Sequence, residues 1–303
     1  MKIVYIISAY KLPDQLVRLV RVLNSDSTSF YIHVDKKTPK EIFERMKKPL
    51  KSIPNVHFLK RHLCNWGDFG HVRATLKGIS KIFEEGSDFD YVVLLTGQDY
   101  PIKSNRQISD FLQKSEGKSF MSYAPLPFTG FGKNGGLDRI NYWHFFCFSR
   151  YHFIFPHMNM LNNPKLNELL NIIMKKIKKQ RKFPLNLKPY GGGAYWCLSR
   201  ACIEHITEFV RENKDFVNFF KYVYIPDEVF FQTILVNSSL KRIIVNDDLR
   251  YVDWSNPAQR PEILSKKNYN QFFHTQNLFA RKFDITKDEE VLDIIDNEIL
   301  AIG

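Results

Sequence analysis

The chain has 303 residues, with 44 Lys plus Arg against 32 Asp plus Glu and so a formal charge of +12 with its nine histidines neutral. Hydrophobic residues at 44% and charged residues at 25% exclude a disordered or fibrous chain, and the length suffices for one large α/β domain or two small ones. Aromatic residues reach 15%, more than a core of this size needs, which points to a concave site that stacks on flat ligands.

From the N-terminus, short β-branched or aromatic runs alternate with amphipathic stretches. KIVYIIS (2–8) precedes a helical LPDQLVRLVRVL (12–23), SFYIHVD (29–35) precedes PKEIFERMKK (39–48), NVHFLK (55–60) precedes VRATLKGISKIFEE (72–85), and YVVLLT (91–96) precedes NRQISDFLQK (105–114). This order predicts a mostly parallel, Rossmann-like sheet with helices on both faces and right-handed crossovers. Ligands then bind beyond the carboxyl ends of the strands, which singles out Ser8 to Tyr10, Asp35 with Lys36, Trp66 with Gly67, and Gly97 to Tyr100. Farther on, strands are expected in GGAYWCLS (192–199) and LKRIIVND (240–247), and helices near 200–212, 226–236 and 289–300. No linker, repeat or low-complexity tract interrupts the chain, so 1–303 reads as one domain with a regular βαβ half (1–115) and a less regular half (116–303). The glycines of 132–136 and 191–193 lack the strand, GxGxxG and helix order of a phosphate loop and read as turns or close backbone approaches.

Cys64, Cys147, Cys197 and Cys202 have no CxxC spacing, which fits buried free thiols of a reducing compartment. The opening apolar run is too short for a signal peptide or a membrane span, so a cytoplasmic protein is expected. One basic run stands out, KKIKKQRK, with Lys175, Lys176, Lys178, Lys179, Arg181 and Lys182 following the apolar LNELLNIIM (166–174). It is either a solvated helix face or a peripheral contact with anionic lipid at the inner membrane face. Nucleic acid is disfavoured as a partner, because no helix-turn-helix, zinc knuckle or RNP-type strand accompanies the charge.

Two acids, Asp227 and Glu228, follow Pro226 in IPDEVFFQTIL, where a proline suits the first helical position. They either complement the helix dipole or supply a general base, kept ionised by that field. In LFARKFD, Arg281 and Lys282 are flanked by Phe279 and Phe283, which should anchor the segment and fix where the cations point. Asp88-Phe89-Asp90 matches a DxD metal motif but lies at the start of its strand, and the other end offers Asp99 alone.

Seven segments in order resemble the core-2/I-branching enzymes, the family that includes the peptide O-xylosyltransferases. They are YIHVDKK (31–37), NWGDFGHVRATL (65–76), LLTGQDYPIKSN (94–105), GGAYWCLSR (192–200), PDEVFFQTILVNS (226–238), RYVDW (250–254) and LFARKFD (278–284). Tyr10 stands where many relatives carry His, and Asp68 where they carry Gly. The resemblance implies a GT-A-type fold and inverting glycosyl transfer from a UDP donor, GlcNAc or xylose favoured, to a hydroxyl of a glycan. It implies that Asp35 contacts the uridine, that Glu228 is the catalytic base, and that Arg281 with Lys282, and Arg250 beyond them, neutralises the donor diphosphate without a metal. Ser8, Trp66 and Asp99 are further expected at the donor, and Gln98, Tyr195, Trp196 and Asp227 around the acceptor or sugar. No cofactor is expected. The chain is similar to bacterial members acting on surface polysaccharide, whose acceptor may be lipid-linked. The alternatives are a non-catalytic glycan-binding or assembly protein of the same fold, and a basic nucleic-acid-binding protein.

Overall fold

In the computed structural model, residues 1–147, 150–153, 181–255 and 260–301 are described. The first half forms β1 (Ile3–Ala9), α1 (Pro13–Leu23), β2 (Thr28–Val34), α2 (Lys40–Lys47), β3 (Val56–Phe58), α3 (Gly70–Glu84), β4 (Tyr91–Thr96), β5 (Asp99–Pro101) and α4 (Asn105–Lys114). There follow β6 (Ser119–Met121), β7 (Ala124–Pro125), α5 (Leu137–Asn141), β8 (His144–Cys147), β9 (Arg150–Phe153), β10 (Tyr190–Gly191), β11 (Trp196–Ser199), α6 (Arg200–Glu212), α7 (Lys214–Phe220) and α8 (Phe230–Val236). The chain closes with β12 (Ile244–Val245), β13 (Arg250–Val252), α9 (Tyr269–His274), β14 (Phe279–Arg281) and α10 (Glu290–Ile294).

The main sheet has the order β12-β6-β11-β4-β1-β2-β3. Strands β3, β2, β1 and β4 run parallel, and β11 pairs antiparallel with β4. This is the expected α/β, GT-A-type arrangement, and its strands come from both sides of residue 115. Because β1 is covered on both faces, its alternate side chains feed two cores: Ile3, Tyr5, Ile7 and Ala9 pack with α1, and Val4 and Ile6 pack with α3. The close seat of α3 depends on Gly78, where a Cβ would come within 2.9 Å of Ile6. Helix α1 begins at Pro13 and turns Leu16, Leu19, Val20 and Leu23 inward, the spacing that its sequence predicts.

A three-stranded sheet, β13-β14-β5, lies across the end of the crevice and sets Arg281 opposite Asp99. Gly192 is a close approach, since a Cβ there would stand 1.9 Å from the Ser122 carbonyl oxygen. The expected helix 226–236 is two pieces: a 3-10 turn over Pro226–Glu228 and then α8, separated at Val229 (φ −132°). The expected terminal helix likewise changes to a π-type turn after Ile294.

Cys64, Cys197 and Cys202 are buried free thiols. Among the described residues no helix is long and apolar enough to cross a membrane. Lys175, Lys176, Lys178 and Lys179 lie outside the described residues, and Lys182 is exposed. Arg181 corrects the basic-face reading: it is buried, stacked on Trp143 and Phe219, and donates to the carbonyls of Phe219 and Tyr222, so it is no surface cation.

Candidate active site

Asp35 follows β2 at the carboxyl end of the sheet and is buried. Its Oδ1 accepts from the Lys37 backbone N–H at 2.9 Å, and the Lys37 ammonium lies 3.5 Å from Oδ2. Ser8 is half-buried at the same edge, beside Thr96. Trp66, 68% exposed, leans edge-on against Tyr224, and the Ile225 N–H donates to the Gly67 carbonyl, so the loop carrying Trp66 is clamped to the segment that leads into Glu228. Asp68, the departure from the family pattern, has a local role. It accepts from the backbone N–H groups of Asn65 and Gly70 and so shapes the turn into α3.

Phe279 and Phe283 are fully buried, as anchors of the basic pair should be. Arg281 Nε lies 3.2 Å from Asp99 Oδ1, and its guanidinium sits 4.1 Å from the centre of the Tyr195 ring. Burial works to discharge Arg281, but Tyr195, Asp99, Asp248 and Glu228 outweigh it and raise its pKa. Lys282 is shifted the other way, by burial and by the like charges of Arg281, Lys11 and Arg260. Four cations thus converge, and sequence reasoning had found two of them. Lys11, which also pairs with Asp284 at 3.1 Å, lies one residue past the stretch singled out after the first strand.

Four of the expected ligands are buried. Asp99 is fully buried; its Oδ2 accepts from the Thr96 backbone N–H and hydroxyl while Oδ1 faces Arg281, so it holds Arg281 in place. Arg250 is buried and donates from Nη1 and Nη2 to the carbonyls of Asp248 and Leu94, both at 2.8 Å, which ties β13 to β4, while its buried Nε has no hydrogen-bond partner among the described residues. Gln98 is buried and donates to the Phe283 carbonyl. Trp196 is wholly buried in the core against Phe231, and its Nε1 has no hydrogen-bond partner among the described residues.

Glu228 is half-buried, and its Oε2 accepts from Arg139 Nη1 at 2.6 Å. Arg139 is itself buried and lies 3.9 Å above the Phe131 ring, held on α5 just beyond Gly136, whose φ of +89° lets the chain turn there. No sequence pattern marked Arg139, which is 89 residues away along the chain. The helix-dipole expectation for Glu228 is corrected, because the separate 3-10 turn takes it out of the first turn of α8. Burial and then Asp227 raise its pKa, against the pull of Arg139 and Arg281. Asp227 is raised too, by burial first, and its buried Oδ1 has no hydrogen-bond partner among the described residues.

Tyr195 joins the two groups. Burial raises its phenol pKa, and its hydroxyl feels Arg281, which lowers it, as well as Asp99, Asp227 and Glu228, which raise it. The base candidate and Arg281 thus both act electrostatically on Tyr195, and Glu228 acts on Arg281 as well. Asp88 and Asp90 are at the opposite end of β4, where Asp88 pairs with Lys2 and Arg200 and Asp90 accepts from the Lys2 N–H.

The family model described as Core-2/I-Branching enzyme matches residues 3–134 and 142–276. Xylosyltransferase 2 of Rattus norvegicus is 27% identical over 304 aligned positions, covering 93% of this chain and 32% of its own length. Xylosyltransferase 2 of Homo sapiens is 26% identical with the same coverage, and the xylosyltransferase of Ciona intestinalis 24%. The chain thus spans about a third of the length of these curated relatives.

Proposed function

The chain belongs to the core-2/I-branching enzyme family, and from that premise we propose that it is an inverting glycosyltransferase that moves a sugar from a UDP donor to a hydroxyl of a glycan. The observation that carries this reading is the Tyr195 junction, where Arg281 sits 4.1 Å from the ring and Glu228 acts electrostatically on both Tyr195 and Arg281. The donor lies at the carboxyl end of the sheet, its uridine at Asp35 and its diphosphate at Arg281 and Lys282, with Lys11 and Arg260 adding to the field.

Glu228 Oε2 is held by Arg139, so Oε1 takes the proton of the acceptor hydroxyl. The acceptor oxygen bonds to the anomeric carbon from the face opposite UDP as the bond from that carbon to the β-phosphate oxygen breaks. The electron pair leaves with UDP, and the cations stabilise the charge that develops there. Trp66, beside Tyr224, offers a stacking face between donor and acceptor. Xylose and GlcNAc are the favoured sugars, the former also because the relatives named above are xylosyltransferases. No divalent metal is required in this reading, which is supported by the like charges of Arg281, Lys11 and Arg260 that act on Lys282 and can together neutralise a leaving diphosphate.

A UDP-release screen across UDP-sugars, run in excess EDTA with glycan acceptors, tests this reading. Release that requires acceptor, yields a product of inverted anomeric configuration and survives chelation supports it. Abolition by chelation with restoration by Mn²⁺ would overturn metal independence, and no release from any of the UDP-sugars would overturn the transferase reading.

A further inference from the structure

The loop that carries Asp35 is shaped from behind. Residues 34–38 leave the end of β2 and turn toward α2. Each backbone N–H from Asp35 to Thr38 has an acceptor at 2.9 or 3.0 Å: in order, the Ala9 carbonyl, the His62 carbonyl, Asp35 Oδ1 and the Asp35 carbonyl. The carbonyls of the loop converge on one side chain, Arg61, which is half-buried on the segment after β3. Its Nε donates to the Val34 carbonyl at 3.3 Å, and its Nη2 reaches those of Asp35, Lys36 and Thr38 at 2.8, 3.2 and 2.5 Å.

Four carbonyl dipoles aimed at one place repel each other unless a cation sits among them. A guanidinium suits that place, because it is always charged and spreads its donors over a rigid planar fork, whereas an ammonium is a compact point charge with three donors. The two protons on Nη2 are shared among three carbonyls, so the loop closes around the group. Phe43 of α2 lies 4.4 Å from the guanidinium carbon and keeps the plane in place. The residues that follow Arg61 support the same loop: the His62 carbonyl takes the Lys36 N–H, and the Cys64 N–H approaches Asp35 Oδ1 at 3.4 Å. Among the described residues the Arg61 side chain gives all its hydrogen bonds to this loop.

We propose that Arg61 is a positioning residue for the nucleotide donor: it holds the 34–38 loop in the shape that presents the Asp35 carboxylate to the uridine. This rests on the reading of Asp35 as the uridine contact. Without the guanidinium the converging carbonyls lose their shared donor and turn toward water, the loop opens, and the carboxylate leaves its place. Binding a donor then requires the loop to be closed again, and that cost appears as lost affinity. The effect stays on the donor side, because Glu228 and Arg139 are held to each other on other segments, and the chemical step at saturating donor is untouched.

UDP calorimetry and steady-state kinetics on the full chain test this. Arg61→Ala should weaken UDP binding about tenfold or more, as expected for loss of a hydrogen bond from a charged group, and should raise the donor KM while kcat and the acceptor KM stay near wild type. Arg61→Lys, which keeps the charge and loses the fork, should show the same split less severely, and it carries the test if the alanine variant does not fold. A general loosening of the fold would move donor and acceptor constants alike. Combined with Asp35→Ala, the two losses of UDP affinity should fall short of multiplying by at least about twofold, because both act through one carboxylate. Arg45→Ala, which removes an exposed cation of α2, should change none of these values. Wild-type UDP affinity in the folded Arg61 variant, equal losses on donor and acceptor, or losses that multiply fully with Asp35→Ala would overturn the proposal. Unchanged UDP binding by Asp35→Ala would overturn the uridine assignment itself, and the role of Arg61 with it.

Discussion

A carboxylate that is to accept a proton must be ionised when the acceptor arrives, and the surroundings of Glu228 pull both ways. Burial and Asp227 raise its pKa above the ordinary 4.5, while Arg139 at 2.6 Å opposes them. A base is active when deprotonated, so the rate rises with pH through that pKa, and whatever raises the pKa moves the acid limb of kcat/KM upward. Arg139→Met should therefore shift the acid limb to higher pH, and Asp227→Asn should shift it to lower pH; pH–rate profiles of both variants check this. Asp227 also bears on stability. Its folded-state pKa is raised above the ordinary 3.8 of an aspartate, so the native chain holds that proton more tightly than the unfolded one. Stability is then lost as pH rises from about 3.8 through the folded pKa. Asp227→Asn should raise the melting temperature at neutral pH and change it little near pH 3, which thermal melts at the two values check. Part of this was open to sequence reasoning, because Pro226-Asp227-Glu228 announces a turn with two acids. The partner was not, because Arg139 lies in a segment with no periodic or motif signal, and only tertiary folding brings it to Oε2.

Strand parity explains most of what was misplaced at the level of elements. Residues after a strand turn to alternate sides, and a slip of one residue exchanges crevice for core. Tyr195 reaches Arg281, whereas Trp196, its neighbour, is wholly buried against Phe231. Both lie in one motif, GGAYWCLS, whose composition does not say which ring faces the ligand. Trp196→Ala should cost about 3–5 kcal/mol of stability without a selective effect on donor or acceptor affinity, as denaturant titration and binding measurements would show. Arg281 and Lys282 were legible because Phe279 and Phe283 bracket them, but the register that sets Arg281 opposite Asp99 joins segments far apart in the chain. Replacing Arg281 and Lys282 together with Ala should weaken UDP binding far more than acceptor binding in calorimetry. Asp99→Asn, which keeps the shape and removes the charge behind Arg281, should raise the donor KM with a smaller effect on kcat.

Over the whole molecule, the βαβ rhythm of the first 110 residues was readable because parallel strands covered on both faces need continuous apolar runs separated by amphipathic helices. The second half was less so. Its strands β6, β11 and β12 are two to four residues long and join the sheet by non-local pairings that no local pattern encodes. Charge is distributed with function as well: the Asp88-Phe89-Asp90 acids sit at the end of the sheet remote from the crevice, bound to Lys2 and Arg200, while the cations gather at the other end. If the stretch containing Lys175, Lys176, Lys178 and Lys179 meets lipid, the protein should bind vesicles containing anionic lipid and be released by salt. Equal partition onto neutral vesicles, or no binding, would leave those lysines as a solvated face.

The most direct measurement is steady-state turnover of wild-type protein and Glu228→Gln on the UDP-sugar that supports transfer, with UDP affinity measured on both. Removing the base while keeping its size and hydrogen-bonding capacity should lower kcat by roughly 10²-fold or more, with UDP affinity unchanged, since the proposal assigns the donor to Arg281, Lys282 and Asp35. Turnover of Glu228→Gln equal to wild type would contradict Glu228 as the base, and with it the assignment of the Tyr195 junction as the catalytic centre.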